Sequence, residues 1–103
     1  MDINGLFIEA YRPLQHSDNG TLKGWLTVRL PHFGIDIRGI SYHETETGIQ
    51  WIEMPYRLRR KIDGDLKIYS IRFINAADWK QFRETTLEAL SIYRGENESR
   101  KTG

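Results

Sequence analysis

Residues 22–30, with the sequence LKGWLTVRL, alternate between apolar and polar side chains along their length. Leu26 and Val28 fall on one side of an extended chain, and Trp25 and Arg29 fall on the other. Alternation with a period of two predicts a β-strand that is buried on one face only. We therefore expect a sheet with one packed face and one outer face that needs its own explanation.

Further strands are expected on both sides of this segment. Residues 6–12, 33–42 and 49–54 are rich in apolar and β-branched side chains and end at polar turns or at proline. Within 33–42 the apolar parity changes at Gly39, which predicts a β-bulge. After Pro55, the Asp63-Gly64 pair favours a tight hairpin whose second arm continues as a strand to residue 73.

From residue 75 onward the apolar period changes to that of a helix. One stripe collects the apolar side chains of Trp79, Phe82, Leu87, Leu90 and Tyr93. Asn75 predicts the N-cap and Gly95 the C-cap. The sequence thus predicts one α+β domain over 1–94, an antiparallel meander of four to five strands with one long C-terminal helix packed on one face, and a disordered tail over 95–103.

Composition narrows the classes of function. The 103 residues include 28% charged residues, no cysteine and a net charge of only +1. Without cysteine there are no disulfides, thiolate nucleophiles or cysteine-ligated metals. No apolar run approaches the roughly 18 residues of a membrane span. We therefore expect a cytoplasmic protein that needs no membrane, and a chain this small favours a homodimer.

No pattern of residues predicts catalysis or a metal site. His16, His32 and His43 lie in separate segments without a second ligand at short spacing. The serines and glycines form neither a nucleophile elbow nor a phosphate loop. The sequence therefore predicts a protein that is not an enzyme, with no catalytic residues, no metal and no cofactor.

The outer sheet face is the first candidate binding surface. By parity, Trp25, Arg29, Arg38 and Arg72 are predicted to point away from the helix. An aromatic ring flanked by guanidinium groups is typical of platforms on which single-stranded bases stack. Equally, Trp25 and Trp51 are compatible with burial in a dimer interface, where aromatic residues and Arg are also enriched. Residue patterns leave these alternatives open.

A basic stretch after Pro55 is the second candidate surface. Five cations lie on the two predicted hairpin arms: Arg57, Arg59, Arg60, Lys61 and Lys67. As a strip along an extended arm, they are suited to neutralising successive phosphates. The alternative is that long cations merely keep an exposed strand edge soluble.

The run over residues 33–57, FGIDIRGISYHETETGIQWIEMPYR, resembles the stage V sporulation protein G family. The shared features are an Asp-Ile-Arg strand end, a polar turn, a Gly-led apolar strand that closes in Met-Pro, and a basic segment. Arg38, Met54 and Pro55 are the positions that match this motif, and the resemblance implies a structural role for the last two. The likeness covers roughly residues 3–93.

A second, local resemblance is to the positive cofactor four family of single-stranded DNA-binding transcription coactivators. The IDIR strand and the helix entry NAADWKQFRE carry it. Both resemblances imply a small homodimer that binds nucleic acid through its sheet and loops.

From these features we expect a nucleic-acid-binding homodimer with a regulatory or genome-maintenance role. Single-stranded DNA or RNA with little sequence preference is the predicted ligand. The alternative is a non-enzymatic protein-interaction or structural module that uses the aromatic sheet face for oligomerisation.

Overall fold

The computed structural model describes residues 2–15 and 20–102. Its strands are β1 Phe7–Pro13, β2 Leu22–Leu30, β3 Ile35–Glu44, β4 Gln50–Glu53, β5 Tyr56–Lys61 and β6 Gly64–Tyr69, followed by helix α1 Ala76–Thr102. The prediction of an α+β fold is confirmed. His16, one of the three histidines, lies outside the described residues.

The first four strands form one antiparallel sheet in the order β1-β2-β3-β4, which is the predicted meander. β5 and β6 form a separate two-stranded sheet. Met54 and Pro55 separate the two sheets, since proline cannot donate a ladder hydrogen bond. The backbone NH of Ser70 donates to the carbonyl of Pro55 at 2.9 Å and closes the base of the hairpin.

The predicted bulge at Gly39 is confirmed. Leu26 pairs with Ile40 and Val28 with Ile37, so β3 carries one more residue than β2 between these pairs. Gly39 has a φ of 79°, which glycine adopts without the steric cost that a side chain would bring. Because of the extra residue, Ile37 and Ile40 both face the core despite their opposite parity.

The core lies between the four-stranded sheet and α1. Its buried members are Ile3, Leu6, Ile8, Leu26, Val28, Leu30, Ile37, Ile40, Tyr42, Ile52, Met54, Phe82 and Leu90. Phe33 in the β2–β3 turn and Ile35 at the start of β3 share the parity of Ile37 but are 50% and 48% exposed, because they lie at the end of the sheet, beyond this cluster.

Helix α1 begins and packs largely as predicted. The side-chain Oδ1 of Asn75 accepts hydrogen bonds from the backbone NH groups of Ala77 at 2.7 Å and Asp78 at 3.4 Å, which is the geometry of an N-cap. Phe82 and Leu90 are buried, and Thr86, which the sequence did not indicate, is buried between them.

The end of α1 differs from the prediction. The helix continues through Gly95 to Thr102, so Gly95 is not its C-cap and most of the segment predicted as a disordered tail is helical. Residues 96–101 contain neither proline nor an apolar residue and include the good helix formers Glu, Arg and Lys, which permit a helical extension.

Tyr42 links the sheet to this helix. Its ring is buried, while its hydroxyl donates to Glu44 at 3.0 Å and accepts from Gln50 at 2.7 Å and Arg94 at 3.5 Å. Burial, with the bond to Glu44, raises the pKa of Tyr42 to about 12. The hydroxyl therefore stays protonated and keeps these bonds throughout the neutral pH range.

Candidate nucleic-acid interface

The sheet face opposite α1, here called the outer face, is assembled by the register of the four strands. Trp25 on β2 lies opposite Arg12 on β1 and Ser41 on β3, and Ser41 lies opposite Glu53 on β4. The same register gives the outer face the side chains of Phe7, Ala10, Arg12, Trp25, Thr27, Arg29, Asp36, Ser41, His43, Trp51 and Glu53.

Two tryptophans lie on this face, and both are half-buried. Trp51 is stacked on His43 with ring centroids 5.1 Å apart and an angle of 1° between the planes. The guanidinium of Arg12 lies 5.8 Å from the Trp25 ring centroid, within the range of a cation–π contact. Each tryptophan is thus held by a neighbour while part of its surface remains exposed.

Hydrogen bonds fix the ring of His43. Its two nitrogens lie 3.1 Å from the hydroxyls of Thr21 and Ser41. Partial burial lowers the pKa of His43 below its usual value, although the nearby Glu53 opposes the shift. The imidazole is therefore mainly neutral at physiological pH and acts as a support for Trp51, with little cationic character.

Arg29 is placed on the outer face as predicted, but acidic groups already balance its charge. It donates to both carboxylate oxygens of Asp36, at 2.7 and 3.0 Å, and lies 3.3 Å from Glu9. The hydrogen bond from Arg29 lowers the pKa of Asp36. Phe7 lies against the same guanidinium, with its ring centroid 5.7 Å away. Arg29 therefore orders this part of the face and offers little free positive charge to a phosphate.

An open groove of about 550 Å³ crosses the outer face beside Trp25. Arg12, Arg29 and Arg38 all line it, as does Asp36. Arg38 is exposed next to the Gly39 bulge, which turns it toward the groove rather than into the β2–β3 ladder. The structure thus brings together three of the predicted residues, Trp25, Arg29 and Arg38, and adds Arg12.

The β5–β6 hairpin carries the basic stretch. All six β5 side chains are exposed. Arg57 pairs with Ile68 and Arg59 with Leu66, so the face that contains Arg57, Arg59 and Lys61 is both basic and apolar. Arg60 points to the opposite face. Within the described part of the chain, the side chains of Arg57, Arg59, Arg60 and Lys61 make no hydrogen bond or ion pair.

Lys67 differs from the other hairpin cations. It pairs with Leu58, on the hairpin face opposite Arg57 and Arg59. Its ammonium donates to Glu53 at 2.7 Å, and the hydroxyl of Tyr69 donates to the same carboxylate oxygen at 2.8 Å. The Lys67 nitrogen also lies 4.8 Å from the ring centroid of Tyr56. The prediction that Lys67 completes one strip with Arg57 and Arg59 is therefore wrong, and Lys67 instead anchors the hairpin to the sheet.

The pKa values of this anchor define its working range. Partial burial acts to raise the pKa of Glu53, but the hydrogen bonds from Lys67 and Tyr69 outweigh it and hold the pKa below its usual value. The same bond raises the pKa of Lys67. Because the pKa of Glu53 is lowered in the folded protein, its contribution to stability is complete above the unfolded-state pKa and is lost as the pH falls through the folded-state pKa. Because the pKa of Lys67 is raised, its contribution to stability is complete below the unfolded-state pKa and is lost as the pH rises through the folded-state pKa. We expect the anchor to be intact between about pH 5 and about pH 10.

Glu53→Gln should loosen the hairpin without unfolding the sheet. The neutral amide loses the charge-assisted bond to Lys67, so amide hydrogens of β5 and β6 should exchange several-fold faster while those of β2 and β3 are unchanged. Hydrogen exchange read by mass spectrometry measures both. Glu46→Gln, which alters an exposed carboxylate in the β3–β4 turn, is the matched control. Equal exchange of β5 and β6 in wild type and Glu53→Gln would show that the anchor has no such role.

Arg72 is not part of the outer face. β6 ends at Tyr69, earlier than predicted, and Arg72 lies in the link between β6 and α1. There it lines a second groove of about 430 Å³ whose lining runs from Glu53 on β4 to Trp79 on α1 and does not include Trp25. The prediction that Arg72 continues a strand and joins Trp25 on the outer face is therefore wrong.

Sequence reasoning missed two members of the outer face and left a third unassigned. Arg12 follows from the pairing of β1 with β2, and His43 from its place two residues after Ser41 on β3. The burial of Ile52 assigns its neighbour Trp51 to the outer face by strand alternation. Within residues 2–15 and 20–102, no group of three His, Cys, Asp or Glu residues could hold a metal ion.

Helices in the described part of the chain are not long and apolar enough to cross a membrane. Comparison of the chain with protein-family models, curated proteins and solved structures finds no match. The resemblances given above therefore stay predictions, and the geometry of the two surfaces carries the functional argument.

Proposed function

We propose that this protein is a small, non-enzymatic, cytoplasmic homodimer that binds nucleic acid with little sequence preference, in a regulatory or genome-maintenance role. Single-stranded DNA or RNA is the preferred ligand. The observation that carries the proposal is the outer face, where Trp25 lies partly exposed beside arginines and Trp51 lies partly exposed against His43. The hairpin anchored to this face at Glu53 adds four cations without an acidic partner among the described residues.

The outer face has the dimensions that base stacking requires. Trp25 lies opposite Ser41 and Trp51 lies opposite His43 on the intervening strand β3, so two strand spacings and an offset of two residues place their Cα atoms roughly 12 Å apart. An extended single strand covers that distance within a few nucleotides. Each ring offers a flat apolar surface to any base, and stacking of this kind contributes about 1–3 kcal/mol per base without sequence preference.

Phosphate contacts come from cations that acidic groups do not already neutralise. Arg29 and Lys67 are engaged with Asp36 and Glu53, which leaves Arg12 and Arg38 on the outer face. Arg57, Arg59, Arg60 and Lys61 lie on the hairpin. Their contacts with phosphates would release condensed counterions, so affinity should fall as salt rises.

Arg59→Ala tests this assignment. Loss of one phosphate contact should flatten the plot of log affinity against log salt by about 0.7 for a single strand. Fluorescence anisotropy of a labelled oligonucleotide between about 50 and 200 mM salt provides the measurement. Lys80→Ala is the matched control, because Lys80 is an exposed cation on α1, the element that covers the opposite sheet face. Equal salt slopes for the two variants would show that the hairpin is not part of the binding site.

A protein-interaction module is the second candidate function. The observation that favours it is the near balance of charge on the outer face, where Glu9, Asp36 and Glu53 offset Arg29 and Lys67. In that case Trp25 and Trp51 would be buried in an oligomer. Trp25→Ala would then dissociate the dimer, as measured by sedimentation, and the wild-type protein would not bind oligonucleotides at moderate salt.

A further inference from the structure

The tip of the β5–β6 hairpin combines a fully exposed apolar side chain with cations behind it. Lys61 pairs with Gly64, so the two-residue connection consists of Ile62 and Asp63. The predicted turn centre at Asp63-Gly64 is therefore displaced by one residue. As a result Ile62 stands at the tip of the hairpin, fully exposed to solvent.

The hairpin is long enough to carry this tip away from the sheet. Each arm has six residues, so at about 3.3 Å per residue the tip lies roughly 20 Å from the base of the hairpin at Tyr56 and Tyr69. The anchor reaches up the hairpin to Lys67, which pairs with Leu58, and the tip lies roughly 13 Å beyond that pair. Because that anchor joins the outer face at β4, a strand of bases on the outer face would lead toward the hairpin. The cations on the arms would then face the part of the nucleic acid that continues beyond the single strand.

We propose that the hairpin recognises the junction between single-stranded and double-stranded nucleic acid, with Ile62 packed against the last base pair of the duplex. This inference rests on the proposed function, since it extends the ligand held on the outer face. Inserting an isoleucine or a similar apolar side chain at a base step costs free energy, because the bases are partly unstacked. At a junction one side of the terminal pair is already open, so that cost is smallest there.

The positive charge of the hairpin also favours a junction with double-stranded nucleic acid as the partner. Arg57, Arg59 and Lys61 lie on one hairpin face and Arg60 on the other, so phosphates of both duplex strands can be contacted at once. Asp63 and Asp65 near the tip reduce the positive charge but leave an excess of cations. Insertion into a membrane is less well supported, because a single isoleucine buries few CH₂ groups and even a complete myristoyl chain binds only marginally.

The test compares three labelled probes: a single strand, a blunt duplex of the same sequence, and that duplex with a single-stranded overhang. Wild-type protein should bind the overhang probe about tenfold more tightly than either of the others. Ile62→Ser should bind the overhang probe no more tightly than the single strand, with its single-strand affinity unchanged. Ile74→Ser is the matched control, since Ile74 is equally exposed but lies in the link before α1.

A fluorescent adenine analogue at the terminal base pair gives an independent reading. Its emission should rise when wild type or Ile74→Ser binds, because Ile62 takes the place of the first overhang base that stacks on the terminal pair, and should stay constant with Ile62→Ser. Equal wild-type affinity for overhang and single strand would overturn the junction proposal alone. Failure to bind any probe would overturn the proposed function as well. If wild-type protein binds vesicles of anionic and neutral phospholipid and Ile62→Ser does not, the tip binds membranes instead of a nucleic-acid junction.

Discussion

Trp25→Ala is expected to weaken binding of a single-stranded oligonucleotide by about 1–3 kcal/mol, or roughly 5- to 150-fold. The substitution removes the ring beside Arg12 in the outer-face groove and leaves the charges of the face unchanged. The salt dependence of binding should therefore stay the same while the affinity falls. Anisotropy titration at two salt concentrations measures both quantities.

Trp25→Phe is the matched control for this prediction, because it keeps an aromatic plane and should retain most of the affinity. Thermal melting of each variant shows whether a loss of binding reflects unfolding. If Trp25→Ala binds as tightly as wild type, bases do not stack at this position. If it loses its dimeric state with no oligonucleotide binding in wild type, the interaction-module alternative is the correct one.

Gly24→Ala is expected to destabilise the fold by about 1–3 kcal/mol or more, because it inserts a side chain between two hydrogen-bonded strands. A Cβ at Gly24 would lie 2.5 Å from the backbone oxygen of Arg12 and 2.8 Å from the ring of Tyr11. Backbone cannot yield as a flexible side chain can, so β1 would have to move away from β2. The same movement would shift Arg12 away from Trp25.

Denaturant unfolding measures this effect, and the chain supplies a control with the opposite sign. Gly95 lies inside α1, and a Cβ there meets nothing within 4 Å. Gly95→Ala should therefore stabilise the protein by about 0.5–1 kcal/mol, since alanine loses less backbone entropy in a helix. A Gly24→Ala variant as stable as wild type would show that β1 does not approach β2 as closely as described.

Local patterns were sufficient for the sheet and the start of the helix. Alternation around Leu26 and Val28 gave the buried face, the parity change gave the Gly39 bulge, and Asn75 gave the helix start. Each of these features depends on neighbours in sequence. The end of α1 was not predicted, because Gly95 is a common C-cap but is also tolerated inside a helix at modest cost.

The electrostatics of the candidate site depended on contacts that no local pattern specifies. Arg29 meets Asp36 through the register of β2 with β3, and Lys67 meets Glu53 through the position of a separate hairpin. Fewer cations are therefore free to contact phosphate than the sequence alone suggested. Ile62 lies at the hairpin tip because the turn consists of Ile62 and Asp63, one residue earlier than the predicted Asp63-Gly64 turn.

Quenching of tryptophan fluorescence by an unlabelled single-stranded oligonucleotide tests the central claim most directly. Trp25 and Trp51 lie on the proposed stacking face, whereas Trp79 packs against Phe73 and Phe82 on the helix side. The account predicts saturable quenching that Trp25→Phe with Trp51→Phe abolishes, at oligonucleotide concentrations that rise with salt. Fluorescence that does not change, or quenching that persists in the double variant, would contradict it.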